Sequence, residues 1–242
     1  MSGHNKWSTI KHKKAKTDAA RSQSWTKVVR ELIVAAAGGT DPEFNSALRL
    51  AIQKAKACNM PKDNIERAIK RGSGDGEQVH YDQIVYEGHA GGVAILIETL
   101  TDNRNRTVSS VRSLLAKNGG QMGEAGSVAW QFKRVGQISL EGDNDPDEVM
   151  MAALDAGADD VNEDGVITTA PNEITAVAKK LEEAGYKIDT MELTYLPSNT
   201  VTCDEKAAAT VMRICGVLED DDDVQNVYTN ADISDEIMEK LD

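Results

Sequence analysis

The sequence predicts an α+β fold, with an N-terminal helical bundle followed by two ferredoxin-like α/β sandwich domains, one inserted in the other. The chain has 242 residues, more than the ~100 to 150 residues of a typical domain. The apolar spacing is helical before the linker GSGDGE (72–77) and mostly strand-like after it. The expected domains are 1–72, the discontinuous pair 73–134 with 199–242, and the inserted segment 135–198.

Three helices are expected in the first domain. Apolar residues three and four apart predict a helix that begins at position 17 or 18 and ends at Gly38-Gly39. A cap at position 40 or 41, with Pro42 in the first turn, predicts the second helix. Pro61 opens the third helix and Gly72 closes it. The three helices would pack as a small bundle.

The two α/β domains are predicted from alternating strands and helices. In 73–134 we expect strands at 81–88, 93–100 and 127–132 around a helix at 107–119. The final helix and strand, 204–219 and 224–230, have no partners nearby and are assigned to the same sheet. The inserted domain follows the order βαβαβ, with strands at 136–141, 165–170 and 188–197 and helices at 145–157 and 172–185.

Charge is distributed unevenly along the chain. The net charge is −13, which by itself disfavours a nucleic-acid partner. Residues 1–72 nevertheless carry fifteen Lys and Arg against six Asp and Glu, whereas 135–242 carry six against twenty-seven. An asymmetry of this size suggests a basic binding region on an acidic body. It predicts binding of nucleic acid through the N-terminal domain.

The candidate nucleic-acid contacts are the cations of the first thirty residues and two arginines of the third helix, together with one tryptophan. Phosphates would supply the missing counter-charge, and the tryptophan could stack on an unpaired base. The candidates are Lys6, Trp7, Lys11, Lys13, Lys14, Lys16, Arg21, Lys27, Arg30, Arg67 and Arg71.

Alternative interpretations are open for Trp7, for the basic segment and for Arg71. Trp7 could pack against the bundle, and the basic segment could be a solvated face or a contact to the acidic body of another subunit. Arg71, with Lys70, stands near a helix C-terminus, where cations suit the helix dipole.

A separate anion site is predicted at LTDNRNRT (100–107), where Arg104 and Arg106 stand at a helix N-terminus. The alternative is that these arginines pair with local carboxylates while Asp102 and Thr107 cap the helix. The acidic run 219–223 is interpreted as a solvated loop, because consecutive acids rarely form a metal cage.

No motif for catalysis, zinc, a dinucleotide or another cofactor is present in the sequence. We therefore expect a protein that is not an enzyme, with no cofactor, no metal and no small-molecule substrate. The absence of a long apolar run or a signal peptide predicts no membrane partner, and three widely spaced cysteines suit a reducing compartment. A cytoplasmic location is expected.

Five motifs together resemble the YebC/PmpR family, which includes the mitochondrial translational activator of cytochrome oxidase. They follow the family's order, and the resemblance as a whole runs from Gly3 to about Ser234, nearly the whole chain. The motifs are GHNKWSTIKHKKAKTD, MPKDNIERAIKRG, YEGHAGGVA, LTDNRNRT and GSVAWQF. The resemblance implies a helical N-terminal domain with two α/β domains, and a function described for members as transcriptional regulation by DNA binding or as translation at the ribosome.

The leading hypothesis is a transcriptional regulatory protein that binds DNA through its basic N-terminal domain. One alternative is a translation factor that binds ribosomal RNA, and another is a protein-interaction scaffold that uses the acidic face of 135–242. The sequence leaves the target sequence, the base-reading residues and the oligomeric state undetermined.

Overall fold

The structure is a computed structural model that describes residues 18–74 and 80–241, with side chains from Trp25 onward. These residues contain eight α-helices and two four-stranded antiparallel sheets. The mixed α+β class predicted from the sequence is confirmed for the described chain. In order, the elements are α1 (Asp18–Ala36), α2 (Ser46–Ala57), α3 (Lys62–Gly72), β1 (Asp82–Ala90), β2 (Val93–Thr101), α4 (Arg104–Lys117), β3 (Gln121–Met122), β4 (Phe132–Leu140), α5 (Pro146–Ala156), β5 (Asp160–Val161), β6 (Ile167–Thr169), α6 (Ile174–Glu183), β7 (Ile188–Pro197), β8 (Val201–Thr202), α7 (Glu205–Glu219), β9 (Val224–Thr229), β10 (Ala231–Asp232) and α8 (Asp235–Leu241).

Helices α1, α2 and α3 pack around one apolar core. Leu32, Leu48 and Ile65 are among its buried members. Gly72 allows α3 to lie against α1, because a Cβ atom there would collide with the carbonyl oxygen of Ile33. The predicted bounds of α1 and α3 agree with the structure.

The predicted start of the second helix is wrong by several residues. Residues 42–44 form a turn, and α2 begins at Ser46 with Asn45 as its N-cap. The Asn45 side chain accepts a hydrogen bond from the backbone N–H of Leu48 and donates to the carbonyl oxygens of Ala35 and Gly39. These bonds to the end of α1 and the loop after it select Asn45 over the earlier cap candidates.

The first sheet has the strand order β3-β1-β2-β9, so the C-terminal strand β9 pairs with β2. Strand β2 is buried along its whole length. On one face, Ile95 and Ile97 share a core with Leu115 of α4 and Ile214 of α7. On the other face, Leu96 clusters with residues that include Phe132, the first residue of β4. A hairpin opens this unit, so it lacks the β-α-β-β-α-β order of a ferredoxin-like motif.

The second sheet has the strand order β5-β6-β4-β7 and the element order β-α-β-β-α-β, which is the ferredoxin-like motif. The predicted strand at 127–132 is wrong, because residues 129–131 form a 3₁₀ turn and β4 begins only at Phe132. Strand β4 therefore continues through the predicted domain boundary at 134/135. The domain limits themselves stay predictions.

Candidate nucleic-acid interface

Six of the eleven predicted nucleic-acid contacts lie outside the described residues, namely Lys6, Trp7, Lys11, Lys13, Lys14 and Lys16. Arg21 lies on α1, where the backbone alone is described. The prediction for these seven residues is unchanged by the structure. The four remaining candidates, Lys27, Arg30, Arg67 and Arg71, have described side chains and fall into two groups.

Lys27 on α1 contacts the last residue of α7, and Arg30 contacts the segment that joins α7 to β9. The Lys27 Nζ donates to the carbonyl oxygen of Glu219 at 2.6 Å. The Arg30 Nη1 lies 2.9 Å from Asp223 Oδ1 and also donates to the carbonyl oxygens of Leu100 and Asp222. These contacts join the helical bundle to the first sheet domain and engage both cations within the chain.

Asp223 is the centre of a buried polar network. Its carboxylate accepts hydrogen bonds from Arg30, from Arg106, and from the hydroxyl of Thr107 at 2.7 Å. Burial alone would raise the pKa of Asp223, but the hydrogen bonds from Thr107 and Arg106 and the charges of Arg106 and Arg30 lower the pKa overall. The interpretation of the acidic run as a solvated loop is wrong for Asp223, which is buried.

Arg104 and Arg106, the predicted anion site, have carboxylate partners in the structure. Arg104 forms two 2.7 Å hydrogen bonds to Asp82 and thereby lowers the pKa of that carboxyl group. The Nη2 atom of Arg106 lies 2.8 Å from Asp102 and 2.8 Å from Asp223. These contacts match the alternative of local pairing, with Asn103 instead of Asp102 as the N-cap of α4. The anion site itself is untested and stays a prediction.

The cations of α3 are exposed to solvent. Among the side chains that the structure describes, Arg67 contacts partners within α3, namely the Asn64 side chain and the carbonyl oxygen of Asp63. Among described residues, Lys70 and Arg71 have no ion-pair partner within 4 Å. Arg67 and Arg71 are four residues apart and share one face of the helix with Lys70. Asp63 and Glu66 line the same surface as Arg67 and Lys70, and the role of this face in phosphate contact stays a prediction.

Trp130 is an exposed aromatic residue that the sequence interpretation missed. Its side chain is 71% exposed, and two exposed cations, Lys133 and Arg134, follow it in the chain. The signal in the sequence was WQFKR, an aromatic residue beside two cations. The sequence interpretation instead assigns SVAWQF to a strand and does not select Trp130 as a site residue.

Other site classes find no support in the described part of the chain. No group of three or more His, Cys, Asp or Glu side chains there could hold a metal ion. None of the helices within 18–74 and 80–241 combines the length and apolar character needed to cross a membrane.

Comparison with known proteins gives matches over nearly the whole chain. Two family models match, "TACO1/YebC protein N-terminal domain" over residues 5–75 and "TACO1/YebC second and third domain" over 81–231. A "Probable transcriptional regulatory protein" from Acidithiobacillus ferrooxidans is 53% identical, with 100% of this chain and 99% of the relative covered. A protein of the same description from Trichlorobacter lovleyi is also 53% identical, with both chains covered to 100%.

A solved structure also matches this chain. It is the crystal structure of a conserved hypothetical protein from Aquifex aeolicus, which is 43% identical and superposes with a TM-score of 0.85. The match covers 95% of this chain and 97% of the other. The similarity therefore includes all three parts of the molecule.

Proposed function

The chain belongs to the TACO1/YebC family, and from that premise we propose that it is a transcriptional regulatory protein that binds DNA through its basic N-terminal domain. Its curated relatives carry the description of probable transcriptional regulatory proteins. The observation that carries the proposal is the concentration of lysines in residues 1–16, where five lysines stand without any acidic residue. Phosphates are the counter-charge that such a segment lacks.

The described side chains refine which cations would contact phosphate. Arg67, Lys70 and Arg71 lie on an exposed face of α3, and we assign them to the DNA interface with the N-terminal lysines. Lys27 and Arg30 are instead engaged with Glu219, Asp222 and Asp223, and we assign them to docking of the bundle. The acidic body would repel nucleic acid elsewhere and keep nonspecific binding weak.

We propose that the activity is binding without catalysis, in the cytoplasm. The rival function is a translation factor that binds ribosomal RNA through the same basic region. One observation favours it, namely the exposed Trp130 followed by two cations, because RNA recognition commonly stacks unpaired bases on aromatic side chains.

The proposal is tested by crosslinking the full-length protein to nucleic acid in intact cells and sequencing both DNA and RNA. The matched control replaces Lys6, Lys11, Lys13, Lys14 and Lys16 with Gln, which removes their charge and keeps chain length. Enrichment at promoters that is lost in the control supports the regulator, whereas enrichment on ribosomal RNA supports the translation factor. A signal no greater than that of the control contradicts both and favours the protein-interaction scaffold.

The two nucleic-acid functions also differ in purified form. A regulator should prefer its own duplex sequence over random DNA by ~10³ or more. A ribosomal factor should cosediment with ribosomes and show little preference among duplexes. Cosedimentation without duplex preference would overturn the DNA assignment.

A further inference from the structure

Trp130 makes a hydrogen bond to the backbone although most of its side chain is exposed to solvent. It lies in the 3₁₀ turn at 129–131 that precedes β4. Its indole Nε1 donates to the carbonyl oxygen of Ser127 at 3.1 Å. Val128 and Phe132, on either side, are both buried in the core of the first sheet. The turn is thus anchored at both ends, and the large side chain between the anchors faces solvent.

A buried carboxylate on β1 fixes the same turn. Glu87 is 7% exposed, and its two oxygens accept hydrogen bonds from the backbone N–H groups of Gly126, Val128 and Ala129 at 2.6 to 2.8 Å. Burial raises the pKa of Glu87, but these backbone bonds more than offset that effect and lower the pKa overall. The turn is therefore bound by an ionised side chain, and the position of Trp130 is preorganised.

Two cations follow Trp130 at the start of β4. Lys133 and Arg134 are both exposed, and they lie at most ~14 Å from Trp130 along an extended chain. Lys133 has one loose contact, 3.9 Å to Asp159, with both side chains largely in solvent. Within the described part of the chain, Arg134 has no ion-pair partner within 4 Å. Because successive side chains of a strand point to opposite faces, the two exposed cations lie on opposite faces of β4, both close in sequence to the ring.

Within the described segment 126–134, Trp130 is the single large exposed apolar residue. A protein interface would bury a cluster of apolar side chains around such an anchor. Val85 lies on β1 two residues before Glu87, and the remaining large exposed apolar residues of the described chain lie on α5 and in the loop before α2. An aromatic ring flanked by cations is instead the combination that binds single strands, whose bases stack and whose phosphates need counter-charge.

We propose that Trp130, with Lys133 and Arg134, is a second nucleic-acid site that stacks an unpaired base of a single-stranded segment. The inference rests on the proposed function, because it assumes that nucleic acid is the ligand of this chain. It adds a contact far in sequence from the basic N-terminal region and a preference for unpaired bases. Glu87 is a positioning residue, since it acts through the turn.

The test measures affinity of the full-length protein for a single-stranded oligonucleotide that contains 2-aminopurine, and for the matching duplex. Trp130→Ala should weaken single-strand binding by about 5- to 150-fold and abolish quenching of the 2-aminopurine. Affinity for the duplex should stay within twofold of wild type. Trp130→Phe should retain most of the quenching, because the phenyl ring still stacks.

The matched control is Phe44→Ala, which removes an aromatic ring that is 91% exposed and has acidic neighbours in the sequence, Asp41 and Glu43. This variant should bind like wild type. Glu87→Gln keeps the ring but weakens its support, so quenching should fall although Trp130 is present. For binding to the single strand, Arg134→Ala should make the slope of log K against log salt less steep by ~0.7.

The outcomes separate this inference from the proposed function. Replacement of the five N-terminal lysines with Gln should flatten the salt dependence on single strands and duplexes alike. If that variant loses binding while Trp130→Ala behaves as wild type, the stacking site is refuted and the proposed function stands. Equal losses on single strand and duplex for Trp130→Ala would also refute stacking. A wild-type protein that binds neither ligand contradicts both proposals.

Discussion

Helices α1 and α3 both carry cations that the sequence suggested for phosphate contact, and the structure uses them differently. Arg30 on α1 is bound to Asp223, with side-chain exposures of 15% and 6% for the two partners. Arg71 on α3 is exposed and has no ion-pair partner within 4 Å in the described chain. The two arginines belong to the same basic domain, and only the second is available to an external anion.

This difference shows what the acidic run after α7 does. Asp223 and the carbonyl oxygens of Glu219 and Asp222 act as acceptors for α1 within the molecule. The cations of α1 therefore dock the bundle within the molecule, whereas our proposal assigns ligand binding to α3 and the N-terminal lysines. The net charge of the domain does not distinguish these two groups of cations, but the solvent exposure of each side chain and its hydrogen-bond partners do.

The largest expected effect comes from the acceptor of the docking contact. Asp223→Ala removes a buried carboxylate that binds Arg30 and Arg106, and it leaves both guanidinium groups without their main partner. We expect the free energy of unfolding to fall by about 3–5 kcal/mol, measured by urea denaturation. The neighbouring Asp222→Ala is the control, because the Asp222 side chain is exposed and only its carbonyl oxygen contacts Arg30. Equal stabilities of the two variants would contradict the network.

The same carboxylate should make stability depend on pH. The folded-state pKa of Asp223 is lowered, so its stabilising contribution is full above the unfolded value of ~3.9 and is lost as pH falls through the folded-state pKa. The difference in unfolding free energy between wild type and Asp223→Asn should therefore be constant from pH 5 to 7. It should shrink below ~4. A difference that grows on acidification would show that folding does not lower the pKa of Asp223.

The two arginines should differ in stability when each is replaced. Arg30→Ala removes hydrogen bonds to a carboxylate and two carbonyl groups, and we expect a loss of about 1.5–3 kcal/mol. Arg71→Ala removes an exposed side chain and should change stability by less than ~0.5 kcal/mol. Thermal or denaturant unfolding of the two variants side by side measures this contrast. If Arg71→Ala lost more stability than Arg30→Ala, the assignment of Arg30 to docking and of Arg71 to binding would be contradicted.

The smallest expected effect is the converse contrast in nucleic-acid binding. Arg71→Ala should reduce the slope of log K against log salt by ~0.9 on duplex DNA, as expected for the loss of one phosphate contact. Arg30→Ala should leave that slope unchanged while the protein is folded. The measurement is fluorescence anisotropy at several salt concentrations, below the onset of unfolding. A reduced slope for Arg30→Ala would place this residue at the interface after all.

Local patterns predicted the regular elements well. The bounds of α1 and α3 follow from apolar spacing with Pro61 and Gly72, and the helices of the acidic segment follow from spacing and capping. The first helix of that segment, for example, begins after Asp145, whose side chain accepts from the backbone of Asp147 and Glu148. Information of this kind lies within a few residues of the element.

The errors occurred where distant groups determine the local structure. SVAWQF alternates like a strand, but Glu87, about forty residues earlier, binds its backbone and holds a turn. The run ending at Asp223 has the composition of a solvated loop, yet its partners Arg106 and Arg30 lie 117 and 193 residues away in sequence. No window of local sequence contains both members of such a pair.

The central claim is that the N-terminal lysines bind nucleic acid by contacting phosphates. The most direct test compares the salt dependence of duplex binding for wild type and for the variant with Lys6, Lys11, Lys13, Lys14 and Lys16 changed to Gln. If all five contact phosphates, the slope of log K against log salt should be less steep by about 4.5 in the variant. An unchanged slope, at any affinity, would contradict the claim.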